Sequence, residues 1–241
     1  MKPLTPLHLA GLCWLATHPN PTTSRMKDAL WGDVHPKSQR WRDFLSELRV
    51  TVPEGVIGAV VDDVIPTSPD LGCDLDLLEA FITRAATHPE QRVACLQGAV
   101  DLLYGMPFAV TDPKAGKYWR WLDVEYANGR LWLQLTQAAC DLAYEYLEAG
   151  DPAAAATVAD KVLGAARLDP GLTEVLMLAY GALGVPEAAE RVFEAHEAAL
   201  VDDIGWEGAG DTTRRVMEQI RADRRDGNGQ ARPLTLVRSP R

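Results

Sequence analysis

The sequence lacks the short motifs that identify the common classes of enzyme. It contains no G-x-x-x-x-G-K-[ST] or G-x-G-x-x-G phosphate-binding loop, no H-E-x-x-H zinc motif and no G-x-S-x-G nucleophile turn. The five histidines are dispersed, and the adjacent pairs Asp62-Asp63 and Asp202-Asp203 are typical of solvated turns. We therefore predict no catalytic, cofactor-binding or metal-binding residue, and an enzyme is the class with the least support.

Cysteine is scarce and long apolar runs are absent. The four cysteines, Cys13, Cys73, Cys95 and Cys140, have no C-x-x-C spacing, which is typical of buried, reduced thiols rather than of a zinc site. No run of about 18 apolar residues could span a bilayer, and the first six residues lack the layout of a signal peptide. These absences predict a cytoplasmic protein that makes no membrane contact of its own.

The net charge of −10 is unevenly distributed along the chain. Residues 1–70 carry 7 Lys/Arg and 8 Asp/Glu, residues 71–204 carry 9 and 21, and residues 205–241 carry 8 and 5. An acidic segment repels a phosphate backbone. Any contact with nucleic acid is therefore expected from the N-terminal or the C-terminal segment.

Residues 141–200 contain two helical hairpins that repeat each other. Gly150-Asp151-Pro152 returns as Gly184-Val185-Pro186, and the offset, 184 − 150 = 34, is the period of a tetratricopeptide repeat. Glycine can end a helix in the left-handed conformation, and proline suits the first turn of the next helix. One hairpin cannot bury its apolar stripe alone, so we expect flanking helices at 131–149 and 212–220. Beside this stack, a seam between helical layers is expected to hold Trp119, Trp121 and Trp132.

The first 70 residues predict three short helices followed by a hairpin. The segment 7–16 is mostly apolar, and His18-Pro19 ends it. A second helix follows Thr22, and a third follows Pro36, with its apolar residues at positions i, i+3, i+4 and i+7. Those residues are Trp41, Phe44, Leu45 and Leu48. The β-branched stretch from Val56 to Ile65, interrupted by two aspartates, predicts the hairpin.

Two interpretations of this segment stay open on the residues alone, a winged helix and a small helical subdomain with a solvated polar face. In a winged helix the third helix would enter the major groove and the hairpin would touch the backbone beside it. Lys37, Arg40, Arg42 and Arg49 would then contact DNA, and Gln39 and Ser46 would lie nearest the bases.

Several short segments resemble a known family in their order and spacing. In the first half they are Ala29-Leu30-Trp31-Gly32-Asp33, Leu45-Ser46-Glu47-Leu48-Arg49 and Leu103-Tyr104-Gly105-Met106-Pro107-Phe108. In the second half they are Gly150-Asp151, Asp169-Pro170, Glu174, Leu176-Met177, Gly184 and Ala188. Over about residues 7–220 the chain resembles the bacterial transcriptional activator domain family, which includes the actinobacterial antibiotic regulatory proteins. The resemblance implies a winged helix followed by a tetratricopeptide-like bundle that acts in transcription.

These observations predict a mainly α-helical protein with three parts. They are a truncated winged helix-turn-helix at 1–70, which lacks the family's N-terminal sheet, a tetratricopeptide-like helical repeat bundle at 71–222 and a disordered tail at 223–241. The predicted function is a transcriptional regulator that binds DNA through the winged helix and binds RNA polymerase or another regulatory protein through the repeats. A homodimer on repeated half-sites is a further expectation. The alternative is a protein–protein interaction scaffold that does not bind DNA and is part of a larger membrane-associated protein.

Overall fold

The computed structural model describes residues 4–105, 116–125, 128–206 and 208–225, and the predicted mainly α-helical fold is confirmed for them. In these ranges two 3₁₀ turns, at Pro89–Gln91 and Gly116–Trp119, accompany eleven α-helices, and no β-strand forms. The helices are α1 Pro6–Thr17, α2 Thr23–Trp31, α3 Ser38–Thr51, α4 Asp74–Thr87, α5 Arg92–Asp101, α6 Arg120–Glu125, α7 Asn128–Glu148, α8 Pro152–Leu163, α9 Pro170–Ala182, α10 Pro186–Ile204 and α11 Asp211–Arg225.

The described residues divide into two compact units. The N-terminal unit takes those within 1–79 and 107–131, and the C-terminal unit takes those within 80–106 and 132–241. The segment that contains α6 thus joins the first unit, which the sequence did not indicate. The domain limits 1–70 and 71–222 stay predictions. Of the tail predicted at 223–241, the first three residues form the end of α11, and residues 226–241 lie outside the described part.

The core of the N-terminal unit is built by α1, α2, α3 and the segment around α6. The predicted inner face of α3 is buried, and so are Trp14 of α1 and Met26 of α2. Trp119 and Trp121 lie in the same core, with 8% and 3% of their surface exposed. Trp132, by contrast, is half-buried on α7 in the C-terminal unit. Trp119 and Trp121 therefore share the core of the first unit, and the seam predicted to hold all three tryptophans stays a prediction.

The predicted hairpin is present, held by isolated β-bridges. The backbones of Val61 and Val64 exchange two hydrogen bonds, of 3.0 and 2.9 Å. Between them Asp62 and Asp63 both have positive φ, 48° and 70°, as in the two-residue turns that match the twist of a hairpin. Further bridges pair Ile57 with Thr67, and Val64 with Thr22, the N-cap of α2. The hairpin is therefore tied to the start of α2.

The helices of the repeat region end and begin at the predicted residues. Gly150 and Gly184 follow the helices α7 and α9 with φ of 78° and 73°. Pro152 and Pro186 are the first residues of α8 and α10, where a missing N–H leaves no intrahelical bond unmade. The next helix of the stack, α11, packs against α9 and α10. The helical hairpins and their 34-residue offset are confirmed.

Polar side chains link helices of the C-terminal unit that are distant in sequence. Arg92 of α5 forms ion pairs with Asp141 and Glu145 of α7, at 2.8 and 2.9 Å. Lys161 of α8 donates a 2.9 Å hydrogen bond to the carbonyl oxygen of Val100, near the end of α5. Because each cation meets anionic or carbonyl oxygens, these bonds fix α5 against its neighbours without leaving a charge unpaired.

The described helices include none that is long and apolar enough to cross a bilayer. Nor do the described residues contain a group of three or more His, Cys, Asp or Glu side chains placed to hold a metal ion. None of the four cysteines, which all lie within the described residues, forms a disulfide bond. Burial, with Cys73 and Asp74 nearby, raises the pKa of Cys13 to about 11, so at neutral pH this side chain is a thiol rather than a reactive thiolate.

The repeat region makes a prediction about small residues at equivalent positions. Ala155 and Ala189, 189 − 155 = 34 residues apart, are fully buried, whereas their neighbours Ala154 and Ala188 are only half-buried. We expect Ala155→Leu and Ala189→Leu each to lower the free energy of unfolding by about 1–3 kcal/mol, because added carbons overpack a dense interior. The matched variants Ala154→Leu and Ala188→Leu should cost clearly less. Urea unfolding of the four variants checks this, and equal losses at both pairs would contradict it.

Candidate nucleic-acid interface

Helix α3 turns one face to the core and the other to solvent. Its buried face is centred between Phe44 and Leu48. Since successive residues of a helix are separated by about 100°, the side chains roughly half a turn away point outwards. These residues form an exposed ridge, which consists of Gln39, Asp43, Ser46 and Val50. Arg42 and Arg49 lie on one flank of the ridge, and Arg40 and Glu47 lie on the other.

Five of the six residues predicted to contact DNA are exposed on this helix or at its start: Lys37, Gln39, Arg40, Arg42 and Ser46. Gln39 and Arg42 are linked to Asp43 of the ridge by a chain of two hydrogen bonds. The side-chain amide of Gln39 donates a 2.7 Å hydrogen bond to Asp43, and Arg42 donates a 3.1 Å bond to the amide oxygen of Gln39. The structure therefore brings the five together on one solvent-exposed face, which also contains an acidic group.

The sixth predicted residue, Arg49, has a different role. Its guanidinium donates two hydrogen bonds, of 3.1 and 2.8 Å, to the carbonyl oxygen of Gly58 in the first arm of the hairpin. The side chain is half-buried. Arg49 therefore positions the hairpin against α3 rather than extending into solvent. The prediction that it contacts DNA stays a prediction.

The other flank of α3 is held by α1. Glu47 lies 3.2 Å from the imidazole Nε2 of His8, and that ring stacks on Phe44 with 5.7 Å between centroids. Thr5, the N-cap of α1, lies 2.9 Å from Nδ1 of the same ring. These contacts draw Glu47 towards α1 and away from the ridge.

The tip of the hairpin is acidic and is attached to α2. The backbone N–H of Thr23 donates a 2.8 Å hydrogen bond to the carbonyl oxygen of Asp63, and the Thr23 hydroxyl bonds the Asp63 carboxylate. Hydrogen bonds from Thr23 and Ser24 hold the pKa of Asp63 below its ordinary value. No Lys or Arg occurs between residues 50 and 83, so the hairpin has no cation to offer a phosphate. Contact between this hairpin and a DNA backbone would thus rest on neutral groups alone.

Two further residues of the interface were not indicated by the sequence. Arg25 is exposed in the first turn of α2 and forms no ion pair with the described residues. Its position at a helix N-terminus suits a phosphate. Val50, with 72% of its surface exposed, ends the ridge of α3, where an apolar group could meet a thymine methyl. A positive residue in the first turn after a helix cap was a signal for Arg25, whereas Val50, between two polar residues, gave none.

Comparison with known proteins identifies the family of the helical half of the chain. A family model described as the bacterial transcriptional activator domain matches residues 73–221, more than half of the chain. The chain belongs to this family. The family resemblance found in the sequence is confirmed. The match begins after α1, α2 and α3, so it describes the helical repeats rather than the candidate interface.

A solved structure has a similar fold over more of the chain than the family model matches. It is Mycobacterium tuberculosis EmbR in complex with a low-affinity phosphopeptide, which aligns with a TM-score of 0.63 and 22% identity. The alignment covers 91% of this chain and 60% of the EmbR chain, so this chain spans less than two thirds of the EmbR length. At this identity the likeness shows the fold alone. A comparison with curated protein sequences finds no match.

The acidic tip of the hairpin predicts a specific pH dependence. Since the pKa of Asp63 is lower in the folded state, its ionised form stabilises the fold above about pH 4, and this contribution is lost as pH falls through the folded-state pKa. We expect Asp63→Asn to lower the melting temperature at pH 7 and to weaken the loss of stability below pH 4. Tryptophan fluorescence reports on this unit, because five of the seven tryptophans lie in it.

The control for that experiment is Asp62→Asn. Asp62 occupies the same turn, but its side chain makes no hydrogen bond to the described residues. An equal change in both variants would show that net charge, and not the bond between Asp63 and α2, is responsible.

The two bonds of Arg49 predict a structural effect rather than a loss of charge contacts. Arg49→Ala leaves the Gly58 carbonyl without its partner, and we expect the free energy of unfolding to fall by about 1 kcal/mol. Arg49→Lys keeps the charge but cannot form the two-pronged bond, so it should lose nearly as much. Urea unfolding measures both variants. Full stability in Arg49→Lys would contradict the positioning role.

Proposed function

We propose that this protein is a transcription regulator that binds DNA through α3 of a winged-helix-like unit and binds partner proteins through a tetratricopeptide-like bundle. The observation that carries the proposal is the exposed polar face of α3, with Arg40 and Arg42 on its flanks, in a chain whose residues 73–221 belong to a family of transcriptional activators. Such a role places the protein in the bacterial cytoplasm, where the DNA is.

The order of the N-terminal elements supports the proposal. Three helices and a hairpin follow one another, and the third helix presents polar side chains at the spacing of one face. The EmbR alignment covers 91% of the chain, which exceeds the span from residue 73 to 241, so the similar fold includes part of this unit. In this arrangement Lys37, Arg40 and Arg42 contact phosphates, with Arg25 beside them, while Gln39 and Ser46 lie nearest the bases.

The few positive charges of the interface imply that one protomer binds DNA weakly. Each phosphate contact contributes about 0.9 units to the slope of log affinity against log salt. Three or four such contacts, near the carboxylate of Asp43, give one protomer weak affinity. Regulation of a gene therefore calls for a second protomer on a repeated half-site or for a protein already at the promoter, such as RNA polymerase.

A salt titration tests the DNA-binding part of the proposal. Binding of the full chain to fluorescent genomic fragments is measured between 50 and 200 mM salt, a range over which phosphate contacts change affinity by orders of magnitude. In the triple variant Lys37→Ala, Arg40→Ala, Arg42→Ala, the slope should become shallower by about 2.7 units, because three phosphate contacts are lost. The affinity at low salt should fall with it.

A matched control removes the same charge elsewhere. Arg120, Arg214 and Arg215 are exposed and lie outside the interface, so their triple Ala variant should keep the wild-type slope. Equal slopes for the wild type and for both triple variants would show that α3 does not bind DNA.

The second candidate function is an interaction scaffold without DNA binding. It is favoured by the charge of residues 71–204, where 21 acidic residues oppose 9 basic ones. Absence of any salt-dependent binding by the wild type would favour this function, because the repeats can bind proteins whether or not α3 binds DNA.

A further inference from the structure

A groove in the C-terminal unit lies over α9, between α8 and α10. It has a volume of about 590 Å³ and is mostly apolar. Leu176 and the buried Thr173 form its floor, and alanines of α10 form one wall. The alanines are Ala188, Ala195, Ala198 and Ala199. Because short side chains leave the wall flat, the groove can accept a chain of peptide along its length.

The two ends of the groove differ in charge. Arg191 lies at the end formed by the start of α10, and Asp202 lies 11 residues further along, about 16 Å away at the rise of an α-helix. Asp160 joins the groove from the last turns of α8, on the same side as Asp202. Arg167 at that end is already paired with Asp203. The groove therefore has one basic end and one acidic end, and Arg191, Asp160 and Asp202 form no ion pair within the described residues.

The chain that follows α11 begins beside the basic end. Arg221 pairs with Glu190 at 2.7 Å and Arg224 pairs with Glu187 at 2.8 Å, so the last turn of α11 is fixed to the first turns of α10. Arg191 is four residues after Glu187, and residues i and i+4 lie on the same face of a helix. The end of α11, from which the rest of the chain continues, thus lies near the entrance to the groove.

The sequence of residues 226–241 has its one acidic residue first and its arginines after it. It starts with Asp226, continues through polar residues and Arg232 to the mostly apolar run from Leu234 to Val237, and then carries Arg238 and Arg241. An acidic residue would meet Arg191, the apolar run would cover the floor, and the later arginines would meet Asp160 and Asp202. Twelve residues separate Asp226 from Arg238, and a chain extended at about 3.3 Å per residue covers the groove with length to spare.

We propose that residues 226–241 bind in the groove between α8 and α10 of their own chain, with the arginines at the acidic end. The inference goes beyond the proposed function and does not require DNA binding by α3. Its consequence is regulatory, since a partner segment of similar chemistry could enter the groove only by displacing the chain's own residues.

Photo-cross-linking in the full chain tests the proposal. Benzoylphenylalanine replaces Ala195, an exposed residue of the groove wall, and a control chain has it at Val93, an exposed residue of α5 outside the groove. After irradiation, mass spectrometry should find an intramolecular adduct between position 195 and the tryptic peptide that contains Leu234–Val237. The control position should give no such adduct.

Charge reversal then identifies the contact. The pair Asp160→Arg, Asp202→Arg should lower the yield of the adduct about fivefold, because two attractive pairs become repulsive. Adding Arg238→Asp and Arg241→Asp to that variant should restore the yield, which a variant that merely fails to fold would not do. Adducts between two molecules, no adduct with this peptide, or a yield that ignores the charge reversal would each overturn the proposal.

Discussion

A stack of aromatic rings closes the N-terminal unit, and the candidate interface depends on it. His18 stacks on Trp14 with 4.3 Å between centroids, and it meets Trp121 edge-on at 5.7 Å. Trp119 continues the series, 6.4 Å from Trp121. Each large aromatic ring buries about 150–250 Å². The residues that build α1, α2 and α3 therefore obtain part of their core from a segment a hundred positions later, within the span matched by the family model.

This closure explains why the segment around α6 belongs to the same compact unit as α1, α2 and α3. The inner face of α3 packs against α1 and α2, whose own packing is completed by Trp119 and Trp121. A fragment that ends at residue 70 would expose that apolar surface to water. The outward ridge of α3 would then lose the rigid support that holds Gln39 and Ser46 at fixed positions. Trp119 and Trp121 thus belong to the core of the first unit and also to the span that the family model matches.

Local patterns made most of the fold predictable. The 3.6-residue period of Trp41, Phe44, Leu45 and Leu48 predicted the buried face of α3, and glycine and proline marked the ends of the repeat helices correctly. The role of Arg49 and the position of Trp119 could not be predicted in this way. Both are decided by contacts that arise only in the folded structure, with Gly58 and with the core of α1 and α2. Charge and exposure of a side chain follow from the sequence pattern, whereas its partner does not.

For the binding of DNA, the distribution of charge along the chain matters more than the net charge of −10. The acidic residues concentrate between 71 and 204, while the exposed face of α3 carries Lys37, Arg40 and Arg42. Charges separated by more than about 8–10 Å are largely screened at physiological salt. A phosphate bound at α3 would therefore respond mainly to charges within that distance, which include Arg42 and Asp43 of the same helix. At low salt the screening weakens and the acidic helices oppose binding, so the whole chain should gain less affinity on dilution of salt than its few phosphate contacts alone would give.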